Sequence, residues 1–169
     1  MATELYDITV PPLLRSLANL SAILEKGRAF AAETGLDPDQ LLQSRLIDDM
    51  NPLTSQVQRA SDAAKGVAVR LAGHEPTSMA DEETTFEQLQ DRIARTVEVL
   101  KAIRPEEMNG TEDTDVVITT PRGSFEFTGR SYVLGFVLPN VHFHVTTAYG
   151  LLRKAGVPLG KLDYLGRLS

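Results

Sequence analysis

Cysteine is absent from the 169 residues, which removes disulfide frameworks, thiolate metal sites and cysteine nucleophiles together. That lack suits a reducing compartment, and a cytoplasmic location is expected. A basic excess is also lacking. Net charge is −6, and only the section carrying Arg153, Lys154, Lys161 and Arg167 is locally basic. With no aromatic platform interleaved, that section does not suit nucleic acid as a partner. MATELYDITVPP places acids early and shows no basic-then-apolar signal pattern. Long uninterrupted apolar runs are missing as well. Residues 131–152 have roughly membrane-spanning length, but Pro139, Asn140, His142 and His144 near their middle are costly in lipid. A buried core helix is expected there, and no membrane partner. The serines lack a nucleophile elbow, and no glycine-rich loop follows a strand. Serine-triad hydrolysis and nucleotide binding therefore find no support.

Apolar residues make up 42% and charged residues 24%, ordinary globular usage that can fill one core. A single domain over 1–169 is expected. Val10-Pro11-Pro12 reads as the end of an extended lead-in. Leu13, Leu17, Leu20, Ile23, Leu24 and Phe30 then recur at helical steps up to Gly35. Asp37-Pro38 caps a short helix over roughly 38–43. Asn51-Pro52 starts the next, whose stripe is Leu53, Val57, Ala60, Ala64, Val67 and Leu71. This stripe is narrow and alanine-rich, and with Gly66 it predicts a close helix approach at 60–68.

Thr84 and Glu87 have capping-box spacing ahead of Phe86, Leu89, Ile93, Val97, Leu100 and Ile103, with Pro105 as the stop. Glu82, Glu83 and Glu87 then sit at the positive end of that helix as a capping device, not as a metal site. VVITT and SFEFT, split by Pro121-Arg122-Gly123, predict a β-hairpin that must lie against the helices, over a mouth between them. Gly129 leads into a long last helix that Pro139 should kink. Gly156 and Pro158 end it, and Tyr164 and Leu165 anchor the tail. The fold class is all-α: a four-helix bundle with a short helix after the first and a small hairpin before the last.

The stretch RSYVLGFVLPNVHFHVTTAYGLLRKA holds two of the three histidines. On a helix His142 and His144 point to nearly opposite sides and cannot share an ion. Asn140 and His144 do share a face, with Val137, Ala148 and Leu151 above and below. His74 follows a helix-ending glycine and is expected to be exposed. A zinc or nickel site wants three good donors, and an amide is a poor one. The residues best placed on the earlier helix are Gln56 and, further along, Asp62. The preferred reading is a buried hydrogen-bond network among Asn140, His144 and a glutamine.

YDITVPPLLRSLANLSAIL, MNPLTSQVQRASDAAKGVAVRLAG, FTGRSYVLGFVLPNVHFHVTTAYGLLRKAGVPLGK and the closing DYLG resemble, over nearly the whole chain, a bacterial family of unknown function. That family is placed in the DinB/YfiT-like superfamily of metal-dependent enzymes. The resemblance implies a DinB-like four-helix bundle, often paired into homodimers. It also implies a divalent ion, such as zinc or nickel, held by three histidines, two of them one turn apart on the last helix. Here that pair is Asn140 and His144, and Gln56 stands where the third histidine is expected, with Gln58 and Asp62 left open. Such a metal site is degenerate. The expected function is a non-catalytic or small-ligand-binding bundle. The alternative is a metal-dependent thiol transferase or hydrolase-like enzyme with His144 as ligand or general base.

Overall fold

The apolar stripes close into four packed helices in a computed structural model that describes residues 3–166; Arg167 of the basic tail lies outside them. The elements run α1 (Leu5–Thr34), α2 (Pro38–Leu42), α3 (Leu53–Arg70), α4 (Phe86–Lys101) and α5 (Pro105–Met108). They continue with β1 (Asp115–Thr120), β2 (Gly123–Thr128), α6 (Gly129–Tyr132), a π-helical turn (Val133–Val137), α7 (Leu138–Lys154) and α8 (Lys161–Leu165). Helices α1 and α3 sit diagonally, each flanked by α4 and α7. Leu13, Leu17, Leu20 and Leu24 of α1, Val57, Ala60, Ala64 and Val67 of α3, and Val141, Val145 and Ala148 of α7 fill the middle. Burying them is the main favourable contribution to the fold.

Four features differ from the sequence reading. The expected extended lead-in is helical, and Pro11 and Pro12 lie inside α1. Each proline removes one N–H donor. Asp7 and Pro11 face outward, where water can satisfy a freed carbonyl, while Leu5, Thr9 and Val10 are buried and hold the turn in place. The Tyr6 N–H donates to Asn109 Oδ1 at 3.0 Å, tying the first turn down. The capping box of α4 falls one residue later than expected, on Thr85 and Gln88. Its helix ends at Lys101, and Pro105 begins α5 instead of stopping α4. Finally, Pro139 is met by the π turn just before it, where the Leu138 N–H bonds Val133 O, five residues back. One extra residue in that turn absorbs the mismatch that a proline imposes on a regular helix.

The hairpin forms as expected, antiparallel, with Val116 opposite Phe127 and Ile118 opposite Phe125. Alternation puts these four on one face, and Val116 and Ile118 are buried against the bundle. Phe127 stands 6.1 Å from Tyr132 and 5.8 Å from Phe136, whose rings stack at 5.9 Å. Close approach to α3 falls at Gly66, as its position suggests. A Cβ there would lie 3.1 Å from the Tyr132 hydroxyl and on top of the Arg70 guanidinium. The tail docks through α8: Asn19 donates to Tyr164 O at 2.9 Å, and Lys26 pairs with Asp163 at 2.6 Å.

Candidate functional site

Helical spacing on α3 produces two stripes. One is the apolar stripe already named. Beside it run Gln56, Arg59, Ala63, Gly66 and Arg70, at alternating steps of three and four. This second stripe faces the start of the last helix. Between them lies a cavity of about 260 Å³, with Arg59, Asp62, Ala63 and Arg70 on one wall and Tyr132, Phe136, Asn140 and His144 on the other. Ile118 of the hairpin contributes part of the lining, so the hairpin does border a mouth between helices.

Gln56 is 2% exposed and both ends of its amide are committed. Its Nε2 donates to Asn51 O at 2.8 Å, and its Oε1 lies 2.8 Å from His144 Nδ1. The Asn51 carbonyl can only accept, so it fixes which way the amide points. Oε1 must then accept from Nδ1–H. His144 is held in one tautomer, with its lone pair on Nε2 and no protein partner for that nitrogen among the described residues. Burial, helped by the nearby positive charge of Arg59, pushes the His144 pKa down to about 4, so the ring is neutral at pH 7. Phe143 packs edge-on against it at 5.2 Å.

Asn140 shares the cavity wall but no hydrogen bond joins it to Gln56 or His144. Thus two of the three expected members meet in a network and the third stands beside it. His142 points away and lies 3.2 Å from the Tyr164 hydroxyl. His74, expected to be exposed, is half-buried, with Nε2 3.1 Å from Glu107 Oε2. Arg70 donates to the Tyr132 hydroxyl at 3.3 Å and lies 5.8 Å from that ring's centre.

Residues 5–165 match the family described as Domain of unknown function (DUF1993). The chain belongs to the DUF1993 family. A DinB family member protein from Shewanella denitrificans, solved as a crystal structure, is similar at 40% identity with a TM-score of 0.88. The alignment covers 97% of this chain and 93% of that one. The fold of this DUF1993 chain is therefore DinB-like. Comparison with curated proteins finds no match.

The donors present do not fit the divalent ion that the superfamily implies. His144 offers one imidazole nitrogen and Asn140 one amide, while Gln56 Oε1 is already taken by Nδ1–H. Gln58 turns the other way and donates to Glu83. The Asp62 carboxylate is bound by Arg92 at 2.9 Å and Lys65 at 2.8 Å. Two guanidinium groups in the same wall add positive charge where a cation would sit. Among the described residues no three His, Cys, Asp or Glu side chains gather as a metal-holding group.

Sequence reasoning passed over Arg59 and Arg70, although the second stripe of α3 was there to be read. It also passed over Arg92, the largest fully buried side chain, which binds Asp62, Asp81 and Glu83 within 3.0 Å. Its Nε alone has no partner. Burial would raise the Glu83 pKa, but hydrogen bonds from Gln58 and Arg92 outweigh it and leave the carboxyl below its ordinary range. The acidic run before α4 thus serves Arg92 through Glu83, beyond the helix-end role expected of it.

Proposed function

We propose that this DinB-like bundle binds a small molecule in the cavity beside His144 and performs no metal-dependent chemistry there. The observation that carries the reading is the Gln56–His144 hydrogen bond at 2.8 Å. It fixes a single tautomer and leaves one acceptor nitrogen to a cavity whose charged groups are mainly cationic. A volume of about 260 Å³ falls below the roughly 300–1,000 Å³ of drug-sized sites, so the ligand is of small-metabolite size. Pairing with a second copy is proposed on the strength of the family resemblance, with sedimentation of purified protein as its test.

A second reading takes the same Nε2 as ion ligand or general base in a thiol transferase or hydrolase-like enzyme. The free lone pair favours it. A conjugate acid near pH 4 disfavours it, because a general base works best with a pKa close to the working pH. Metal content decides between them. Protein purified without a histidine tag, incubated with zinc or nickel and desalted, should carry far less than one ion per chain. Stoichiometric metal that disappears in His144→Ala, with the fold retained, would sink the binding reading.

A further inference from the structure

We propose that the cavity takes a small organic carboxylate, held by the Arg59 guanidinium, with Arg70 farther along the same wall. This rests on the ligand-binding reading above and adds the chemical class. Arg59 forms no ion pair or hydrogen bond among the described residues, and the one acidic side chain lining the cavity is Asp62. Arg70 has only the Tyr132 hydroxyl and the Gly66 carbonyl, the latter at 3.5 Å. Both arginines are exposed and share one concave wall, where neither has a carboxylate partner among the described residues. Of the charged groups in the wall, Arg59 and Arg70 are cationic and Asp62 is the one acid, which suits an anion. Asp62 does not compete for the arginines, because Arg92 and Lys65 hold it.

The rest of the cavity supplies a body-binding surface. Phe136, half-buried, stacks on the buried Tyr132 and, with the nearly buried Ile118 and Ala63 behind it, gives the cavity an apolar side that a bare inorganic anion would leave unused. Guanidinium groups match carboxylate geometry and charge better than any other side chain. The His144 Nε2 acceptor and the unengaged Asn140 amide add positions for a hydroxyl or amide on the same ligand. The ligand class is thus a carboxylate with a compact apolar or aromatic body and at least one further polar group.

The test uses the full chain, with benzoate, its neutral isostere benzamide and inorganic phosphate as probes. Binding is followed through the His144 ring nitrogens and the Tyr132 ring by NMR. Benzoate should shift both signals saturably, roughly tenfold more tightly than benzamide or phosphate. Arg59→Gln, on an exposed position that leaves the core intact, should weaken benzoate by a similar factor and leave benzamide unchanged. Benzamide equal to benzoate, or benzoate unchanged in Arg59→Gln, overturns the carboxylate assignment while the ligand-binding reading stands. Phosphate binding more tightly than benzoate overturns it too, in favour of an inorganic anion. Absence of saturable binding by all three probes overturns the carboxylate assignment.

Discussion

Burial separates the three acids that Arg92 holds. The arginine side chain is 1% exposed, Glu83 is 12% exposed and Asp81 is 60% exposed. Bonds at 2.9 and 3.0 Å look equivalent as distances, yet their surroundings give them different weights. Removing a partner of a buried charge is expensive because the charge left behind has lost its compensation. Glu83→Ala should therefore cost about 2–3 kcal/mol, below the roughly 3–5 kcal/mol of a fully orphaned pair because Asp62 and Asp81 remain. It also strands the Gln58 amide that donates to Glu83 at 2.8 Å. Asp81→Ala should cost within about 0.5 kcal/mol, since water replaces an exposed partner at little loss. Urea midpoints at constant slope measure both, and equal losses would show that the cluster is not ordered by depth.

The hairpin is set on the bundle at one very close approach. A Cβ on Gly129 would meet the Thr111 backbone oxygen and, at 3.2 Å, a Leu71 methyl. The next residue fixes the same junction, with the Arg130 N–H donating to Glu112 O at 2.8 Å. Gly129→Ala must push apart the strand exit and the loop after α5. A loss of about 1–3 kcal/mol is expected from overpacking, with faster amide exchange in β1 and β2 while α1 and α3 stay protected. Unchanged exchange in the hairpin would refute the claim that this junction holds it down.

Local pattern made most of these elements legible. Leu53 to Leu71 repeats at helical steps, and VVITT and SFEFT alternate around a glycine turn, so each could be read within its own segment. The helical turn holding Pro11 and Pro12 could not, because what stabilises it is Asn109 across the fold and the burial of Leu5 and Val10. The same holds for the site. His144 and Asn140 announced themselves by spacing, and Gln56 by its place on the facing helix. Arg92 reaches Glu83 nearby in sequence but also Asp62, 30 residues away on the facing helix, and no window of sequence shows that it is buried between them.

Acid should weaken the whole molecule in two steps, because two kinds of group bind protons less readily when folded than when unfolded. His144 has an ordinary value of 6.5 and a folded value of about 4, lowered by burial and then by Arg59. Its contribution is complete above pH 6.5, where neither state is protonated. It is lost as pH falls toward 4, because the unfolded chain takes up the proton first. Arg59, Arg70, Asp62 and Tyr132 face the same cavity, and of these Arg59 disfavours a charged ring there. Glu107 has an ordinary value of 4.5 and a folded value of about 2, set by hydrogen bonds from the Arg104 backbone, the Arg104 side chain and His74. Its contribution is complete above pH 4.5 and fades as pH falls toward 2. His144 is only part-buried, so its slope stays well under the ~1.4 kcal/mol per pH unit of a fully buried group. The expected result is a urea midpoint that declines from pH 6.5 to 4.5 in the native chain and declines less in His144→Gln. Below about pH 4 the two should fall in parallel, because Glu107 remains in both. Identical curves above pH 4.5 would mean that the histidine carries its proton as easily inside the bundle as outside it, and the effect assigned to burial and Arg59 would then fail.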